Sequence, residues 1–421
     1  MRERQVTSRR SAPRRARSES TGLLRQRPLS PPSSEPLPGV FVKSLAWHPL
    51  VYRKRIARAD PAARPGDLVA VYGDDQQLLG YGLYNPRSEI ALRIVRFGSE
   101  FPGDAFWDDR LAQAVALRRD LLGLGEVTDA CRLIHAESDG LPGLVVDRFG
   151  DTLSAEAFSL GMFQRGQAIL ERLAALCGTR HTLLRGSPQS ESQEGFRAEP
   201  LASPDLPAQV TIAEYGTRFR VRFDEGHKTG FFCDQRENRH RLAQFCAGRS
   251  VLDLCCYTGG FAIQAKKLGA AAEVTGVDLD EHPIALAREN ANLNKVRVSF
   301  VQADAFAYMR DMLRNERRYD VVVLDPPKLI RNRAELDEGT RRHFDLNRLA
   351  LQLVQPGGLL LSCSCAGLLP ESDFLRLIYS AARQTGRTLQ LLAKTGAAAD
   401  HPVAANCPET EYLKAAWLRV V

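Results

Sequence analysis

One pattern constrains the fold of this 421-residue chain more than any other: from Arg249 onward, short apolar runs alternate with segments of helical periodicity. Residues 251–256 read as a buried strand, followed by the turn Tyr257-Thr-Gly-Gly260 and a helix over about 261–268. Residues 274–278 form a second strand and 284–293 a second helix, and strands at 298–302, 319–324 and 358–362 follow with helices between. Buried strands joined by helices pack as a doubly wound α/β sheet covered on both faces. Ligands of such sheets bind outside the carboxyl ends of the strands.

The residues at those ends limit the ligand. Glycines after the first strand are expected to let a cofactor approach the backbone closely. A dinucleotide site requires G-x-G-x-x-G to cradle a diphosphate. Here the turn is Y-T-G-G, preceded by Asp253 inside the strand. An acid there repels a diphosphate but suits a cofactor carrying a sulfonium and an ammonium. Asp278 ends the second strand, where it suits a ribose diol, and Asp304 follows the third, where it suits an adenine edge. The three acids in register favour S-adenosylmethionine over NAD.

The fourth strand ends in Asp325-Pro-Pro-Lys328, a rigid corner with an ionisable side chain facing the pocket, and the fifth in Ser362-Cys-Ser-Cys365. Carbon 5 of a pyrimidine accepts a methyl group only when a thiolate adds at C6 and drives electron density to C5. A cysteine at a strand end beside the pocket fits that task, although buried filler is the commoner fate of a cysteine. Cys363 and Cys365 point the same way if the strand reaches that far, and Cys365 lies nearer the loop.

The preceding half divides further. Residues 1–38 are rich in Arg, Ser and Pro and read as a disordered tail. Its nine arginines and three glutamates account for +6 of the net +7, so the rest of the chain is nearly neutral and nucleic-acid binding must rest on local patches. Residues 39–105 show short strands at 67–72, 78–84 and 90–95, as in a small β-barrel. Lys43, Arg53, Lys54, Arg55 and Arg58 stand there among Phe41, Trp47, His48 and Tyr52, with no acid between Glu35 and Asp60. Cations among stackable rings suit an RNA backbone with unstacked bases, and a solvated basic face around buried rings is the plainer alternative. In residues 106–205, a helix spans about 107–122, His135, Glu137 and Asp139 fix a tight turn, and 187–199 read as a surface loop. Residues 206–421 hold the doubly wound domain.

No apolar stretch approaches the roughly eighteen residues of a membrane helix, and no secretory signal is evident, so a cytoplasmic location without membrane contact is expected. Nine cysteines in odd number suggest reduced thiols rather than a disulfide framework. Cys255-Cys256 and Cys363-x-Cys365 lack the paired spacing of a zinc site, so no metal is expected.

Residues 226–421 resemble bacterial large-subunit (23S) ribosomal RNA cytosine-C5 methyltransferases. The matching motifs are Gly226-His-Lys-Thr-Gly-Phe-Phe-Cys-Asp-Gln-Arg236, Tyr257-Thr-Gly-Gly-Phe261, Asp325-Pro-Pro-Lys328, Ser364-Cys365 and Asp400-His-Pro402. The barrel segment resembles a PUA domain through Trp47-His-Pro49 and Gly80-Tyr-Gly-Leu-Tyr84, and Glu137-Ser-Asp-Gly-Leu-Pro-Gly143 resembles that family's α/β connecting domain. The resemblance implies a Rossmann-like class I methyltransferase domain with a seven-stranded sheet. It implies Cys365 as nucleophile, Asp325 at the base, and a cofactor pocket formed by Phe232, Asp234, Tyr257, Thr258, Gly259, Asp278, Asp304 and Asp325. It also implies 23S ribosomal RNA as partner, with a homodimer left open. The family more usually carries Phe where Cys363 stands, and the arginine-rich tail is foreign to it. Cytosine rather than uridine rests on the resemblance alone. Methylation of a ring nitrogen such as guanine N7, or a non-catalytic RNA-binding assembly role, are the alternatives.

Overall fold

The computed structural model describes residues 24–223 and 229–421. Six strands open it: β1 (Gly39–Val42), β2 (Leu50–Val51), β3 (Ile56–Ala59), β4 (Asp67–Tyr72), β5 (Leu78–Tyr84) and β6 (Leu92–Phe97). They form one sheet in the order β2-β6-β5-β4-β1-β3. Alternate residues of β1 and β4 (Val40 and Val42, Val69 and Val71) share one core with Leu92 and Ile94 of β6, while Leu68, Ala70, Leu83 and Val95 on the opposite face join the core of the second domain.

The second domain carries α1 (Asp104–Ala116), β7 (Ala130–His135), β8 (Leu144–Phe149), β9 (Thr152–Ala157), α2 (Leu160–Cys177), β10 (His181–Gly186), α3 (Pro188–Glu194) and β11 (Leu201–Ala202). Its sheet runs β11-β10-β9-β8-β7. Strands β9 and β10 are parallel, which requires a crossover, and α2 supplies it. Ser159 caps α2 by accepting from the Met162 N–H, and Gly178 ends it in the left-handed region.

Two sequence expectations are corrected here. Residues 187–199 are not all loop: Pro188 at the first turn and Gly195 at the C-cap bound the short helix α3. Residues 24–38, assigned to a disordered tail, instead lie against the folded body. Leu29 is buried, its carbonyl accepts from Arg165 Nε, and Ser30 Oγ accepts from Trp107 Nε1. A single leucine among prolines has no periodicity to reveal it. The rest of that tail expectation, residues 1–23, lies outside the described residues.

A hairpin, β12 (Gln209–Glu214) and β13 (Thr217–Arg222), precedes the third domain. That domain runs α4 (Arg236–Ala243), β14 (Ser250–Leu254), α5 (Gly260–Lys267), β15 (Glu273–Asp278), α6 (Glu281–Leu293), β16 (Ser299–Gln302), α7 (Ala305–Arg314), β17 (Tyr319–Leu324), α8 (Leu336–Leu353), β18 (Val354–Ser364), α9 (Glu371–Gln384), β19 (Leu389–Thr395) and β20 (Lys414–Val420). Its seven strands are ordered β16-β15-β14-β17-β18-β20-β19, a doubly wound sheet as expected. Pairing is parallel from β16 to β18 and antiparallel for β20 with both neighbours. Two cores cover its faces. Val251, Val321, Val323, Leu359, Leu361 and Cys363 belong to one, and Leu252, Leu254, Val322, Leu324 and Leu360 to the other. Each such side chain contributes about 1.5–3 kcal/mol on full burial. The strand order reverses between β14 and β17, so the crevice opens where Leu254 and Leu324 end. Among the described residues no helix is long and apolar enough to cross a membrane.

Candidate active site

The turn after β14 is tight and strained. Cys255 and Tyr257 both adopt positive φ (62° and 49°), a region that disfavours side chains, and such strain concentrates at functional sites. Asp278, at the end of β15, holds the turn: its Oδ2 accepts from the Tyr257 N–H at 2.8 Å and its Oδ1 from Asp280 N–H. Tyr257 donates its hydroxyl to the Gly230 carbonyl and meets Phe232 edge-on with centroids 5.0 Å apart. Thr258 is buried, and its carbonyl accepts from Asn290 Nδ2.

The glycines of this turn are also required by packing. Gly259 has φ +82°, and a Cβ there would lie 2.9 Å from Phe300; one on Gly260 would lie 2.9 Å from Arg239.

Acids converge on the crevice. Asp253 is fully buried; its Oδ2 accepts from Ala262 N–H, while Oδ1 has no hydrogen-bond partner among the described residues. Burial, then repulsion from Asp325 and Asp278 against a hydrogen bond from Ala262, pushes its carboxyl well above the ordinary carboxylate range. Burial also raises the Cys255 thiol, and Asp278, Asp325, Asp253 and Asp304 all add to the shift. Four acids near one half-buried thiol leave negative potential that a cationic ligand would offset.

Asp325 is positioned through a directed chain of hydrogen bonds. The Trp417 indole only donates, so Thr395 Oγ1 accepts from it at 2.8 Å and donates to Asn238 Oδ1 at 2.7 Å. Asn238 Nδ2 then donates to Gln235 Oε1 at 2.7 Å, which turns Gln235 Nε2 toward Asp325 Oδ2 at 3.0 Å. The carboxylate thus has one oxygen fixed by a donor. The motif containing Gln235 was visible in sequence, but its role was not.

The two cysteines of β18 separate. Cys363 lies within the strand, fully buried in the core, where burial and then Asp325 raise its thiol well above the ordinary value. It fills space. The strand ends at Ser364, and Cys365 lies beyond it with partial exposure. Leu324 and Ser362 are register partners on parallel strands, which brings the segments carrying Asp325 and Cys365 to the same sheet edge. Sequence reasoning missed two neighbours of that segment. Lys414, the first residue of β20, pairs with Ser364 and donates from Nζ to the Ala366 carbonyl at 2.6 Å. His343 of α8 lies 3.3 Å from Ser364 Oγ through Nε2.

The remaining predicted residues are spread over several elements. Asp234 is buried, and its Oδ2 accepts from Tyr412 OH at 2.6 Å. Asp304 is exposed and caps α7 by accepting from Ala307 N–H. Lys328 is exposed. His401 is buried against Asp400 (3.0 Å) and His135, which fits a structural role. The motif residues Gly226, His227 and Lys228 lie outside the described residues. On the barrel, Lys43, Arg53, Lys54 and Arg55 are all exposed, the last three on one 3₁₀ turn. Arg53 pairs with Glu89, so it is not wholly available, while Trp47 is 71% exposed and stacks on Phe97.

Residues 159–404 match the S-adenosylmethionine-dependent methyltransferase family model and residues 43–97 a PUA-like domain model. The chain is 37% identical over 380 residues to ribosomal RNA large subunit methyltransferase I of Shewanella frigidimarina, covering 89% of this chain and 95% of that protein. Its identity to the protein of the same name from Escherichia coli O9:H4 is 36% over 383 residues, covering 90% and 96%. A methyltransferase solved in complex with SAH superposes with TM-score 0.77 at 22% identity, covering 91% of this chain and 100% of that one. A SAM-dependent methyltransferase from Streptococcus mutans gives 0.76 at 20% over the same shares. At such identity these two show the fold alone.

Proposed function

Since this chain belongs to the S-adenosylmethionine-dependent methyltransferase family, we propose that it forms 5-methylcytosine in 23S ribosomal RNA through a covalent adduct of Cys365 at C6. One observation carries the reading: Cys365 lies just past the end of β18, beside the end of β17 where Asp325 stands, whereas Cys363 is sealed in the core. The relatives named for ribosomal RNA support the substrate, and the motif resemblance supports cytosine. The enzyme works in the cytoplasm, where ribosomal RNA is found.

The unpartnered buried Asp253 oxygen and the acids around the β14 turn fit S-adenosylmethionine. Asp278 and Asp304 would face its nucleoside and Tyr257, Thr258, Gly259 and Phe232 would border it, with Asp234 bracing the wall through Tyr412. When bound, the cofactor supplies the methyl group. Cys365 adds to C6 of the base and raises electron density at C5. Asp325, fixed by Gln235, accepts from the N4 amine and relays a proton from solvent to N3 as the C6–sulfur bond forms, taking it back when that bond breaks. After C5 is methylated, a base removes the C5 proton and the C6–sulfur bond breaks, which restores the thiolate. Lys43, Lys54, Arg55 and, less freely, Arg53 grip the phosphate backbone, and a paired target base is flipped out to reach the crevice.

Replacing Cys365 with Ala or Ser is expected to abolish methyl transfer while cofactor binding by calorimetry persists. RNA containing 5-fluorocytosine should trap a covalent complex with the wild type and none with Cys365→Ala. Full activity of Cys365→Ala would instead favour transfer to a ring nitrogen, and cofactor binding without turnover by the wild type would favour an assembly role.

A further inference from the structure

Lys414 is an unusual cation. It is only 6% exposed, and its Nζ makes one hydrogen bond among the described residues, to the Ala366 carbonyl. No carboxylate among the described residues lies within ion-pair distance of it; the nearby acids are committed or exposed, since Glu371 pairs with Lys394 and Glu411 stands in solvent. Buried ammonium groups are normally paired. The acceptor that Lys414 does hold belongs to the residue after Cys365. Strand register brings it there: Ser364 and Lys414 are antiparallel partners. From the other side, Ser364 Oγ is joined to His343 and to the Ala366 N–H. The segment 364–366 is therefore held by two elements while the sulfur between them is partly exposed.

We propose that Lys414 is a positioning residue whose ammonium serves as counter-ion to the Cys365 sulfur, holding it in the anionic, nucleophilic form before RNA arrives. This rests on Cys365 being the nucleophile. The thiol proton passes to solvent, and the lysine keeps its own proton throughout. Other charges stand around the same segment. Asp325 at the end of β17 raises the neighbouring Cys363 thiol and would oppose a thiolate on Cys365, while Lys328 and Arg342, which act on Lys414 and His343, are exposed and screened by water. His343 is held neutral: burial, then repulsion from Lys414 and Arg342, lowers it to about 4. Burial also lowers Lys414 itself, and the interaction with Cys365 works against that shift. Lys414 is thus the one buried cation of the set.

Peptide-resolved alkylation of the full-length enzyme by iodoacetamide across a pH series reads the Cys365 titration without substrate. The wild-type midpoint is expected about one unit or more below the roughly 8.5 of a free thiol. Lys414→Gln should raise it and slow labelling at neutral pH roughly tenfold, and Lys414→Arg should restore it. A wild-type midpoint at or above the free-thiol value overturns the proposal without any variant. So does a Lys414→Gln midpoint that stays in place, or one that Lys414→Arg fails to bring back, in protein that still binds cofactor. Failure of the nucleophile reading is separate: it appears as methyl transfer by Cys365→Ala.

Discussion

At the scale of single residues, the site depends on side chains that no motif announces. Gln235 fixes the orientation of Asp325, and a hydrogen bond to a charged group contributes about 1.5–3 kcal/mol. Gln235→Ala should therefore lower kcat by roughly 10–100-fold with little change in cofactor affinity, measured by steady-state kinetics against calorimetry. His343 makes a separate prediction. Its pKa falls from the ordinary 6.5 to about 4 in the folded protein, so between those values the unfolded chain binds the extra proton. Stability then rises with pH across that window and is lost on acidification. Urea midpoints measured along it should fall toward the acid end, and His343→Gln should flatten part of the slope. Asp278, Asp325 and Cys365 stood out in sequence because each lies at the end of an apolar run, and Asp253 because it interrupts one. Lys414 and His343 were not, because each reaches the site from an element far away in the chain.

Elements explain why. The first five strands of the main sheet announce themselves as apolar runs, and their parallel order follows from the helices between them. β19 and β20 return antiparallel, and no local pattern states their register. Yet β20 delivers Lys414 to the segment carrying Cys365 and Trp417 to the start of the hydrogen-bond chain. Trp417→Phe keeps the ring but frees Thr395 to reverse its hydroxyl. It should cost about 1 kcal/mol of stability and lower kcat, while Phe245, which packs on the ring, stays covered. Gly259→Ala tests the β14 turn: with φ +82° and Phe300 in the way, it should destabilise the protein by about 1–3 kcal/mol, read from urea unfolding. The packing reason for this glycine was not legible in sequence, since the pressing ring comes from β16.

Across the whole molecule, one buried carboxylate joins two domains. Asp400 receives both ends of the Arg236 guanidinium at 3.0 Å and the Arg132 N–H at 2.8 Å, while its carbonyl accepts from Arg118, itself paired with Asp139. Burial pushes this carboxyl up, but His401 and Arg236 outweigh it and hold it well below the ordinary carboxylate range. Removing one partner of a buried pair costs about 3–5 kcal/mol, so Asp400→Ala should unfold at clearly lower urea and lose cooperativity between the domains. Its depressed carboxyl stabilises the fold above the ordinary carboxylate range, and that contribution fades as the pH drops below it. The barrel is fastened as well: Leu50 N–H donates to His48 Nδ1, so the neutral ring carries its proton on Nε2 and donates it to Glu409 at 3.1 Å. These joints have a consequence for target choice. With the cationic turn on the barrel and the sulfur in the crevice tied to one frame, the span between them would work as a caliper under the function proposed above. An RNA would then be accepted when its fold sets a base at that reach from the strand held by the turn, whatever letters lie between.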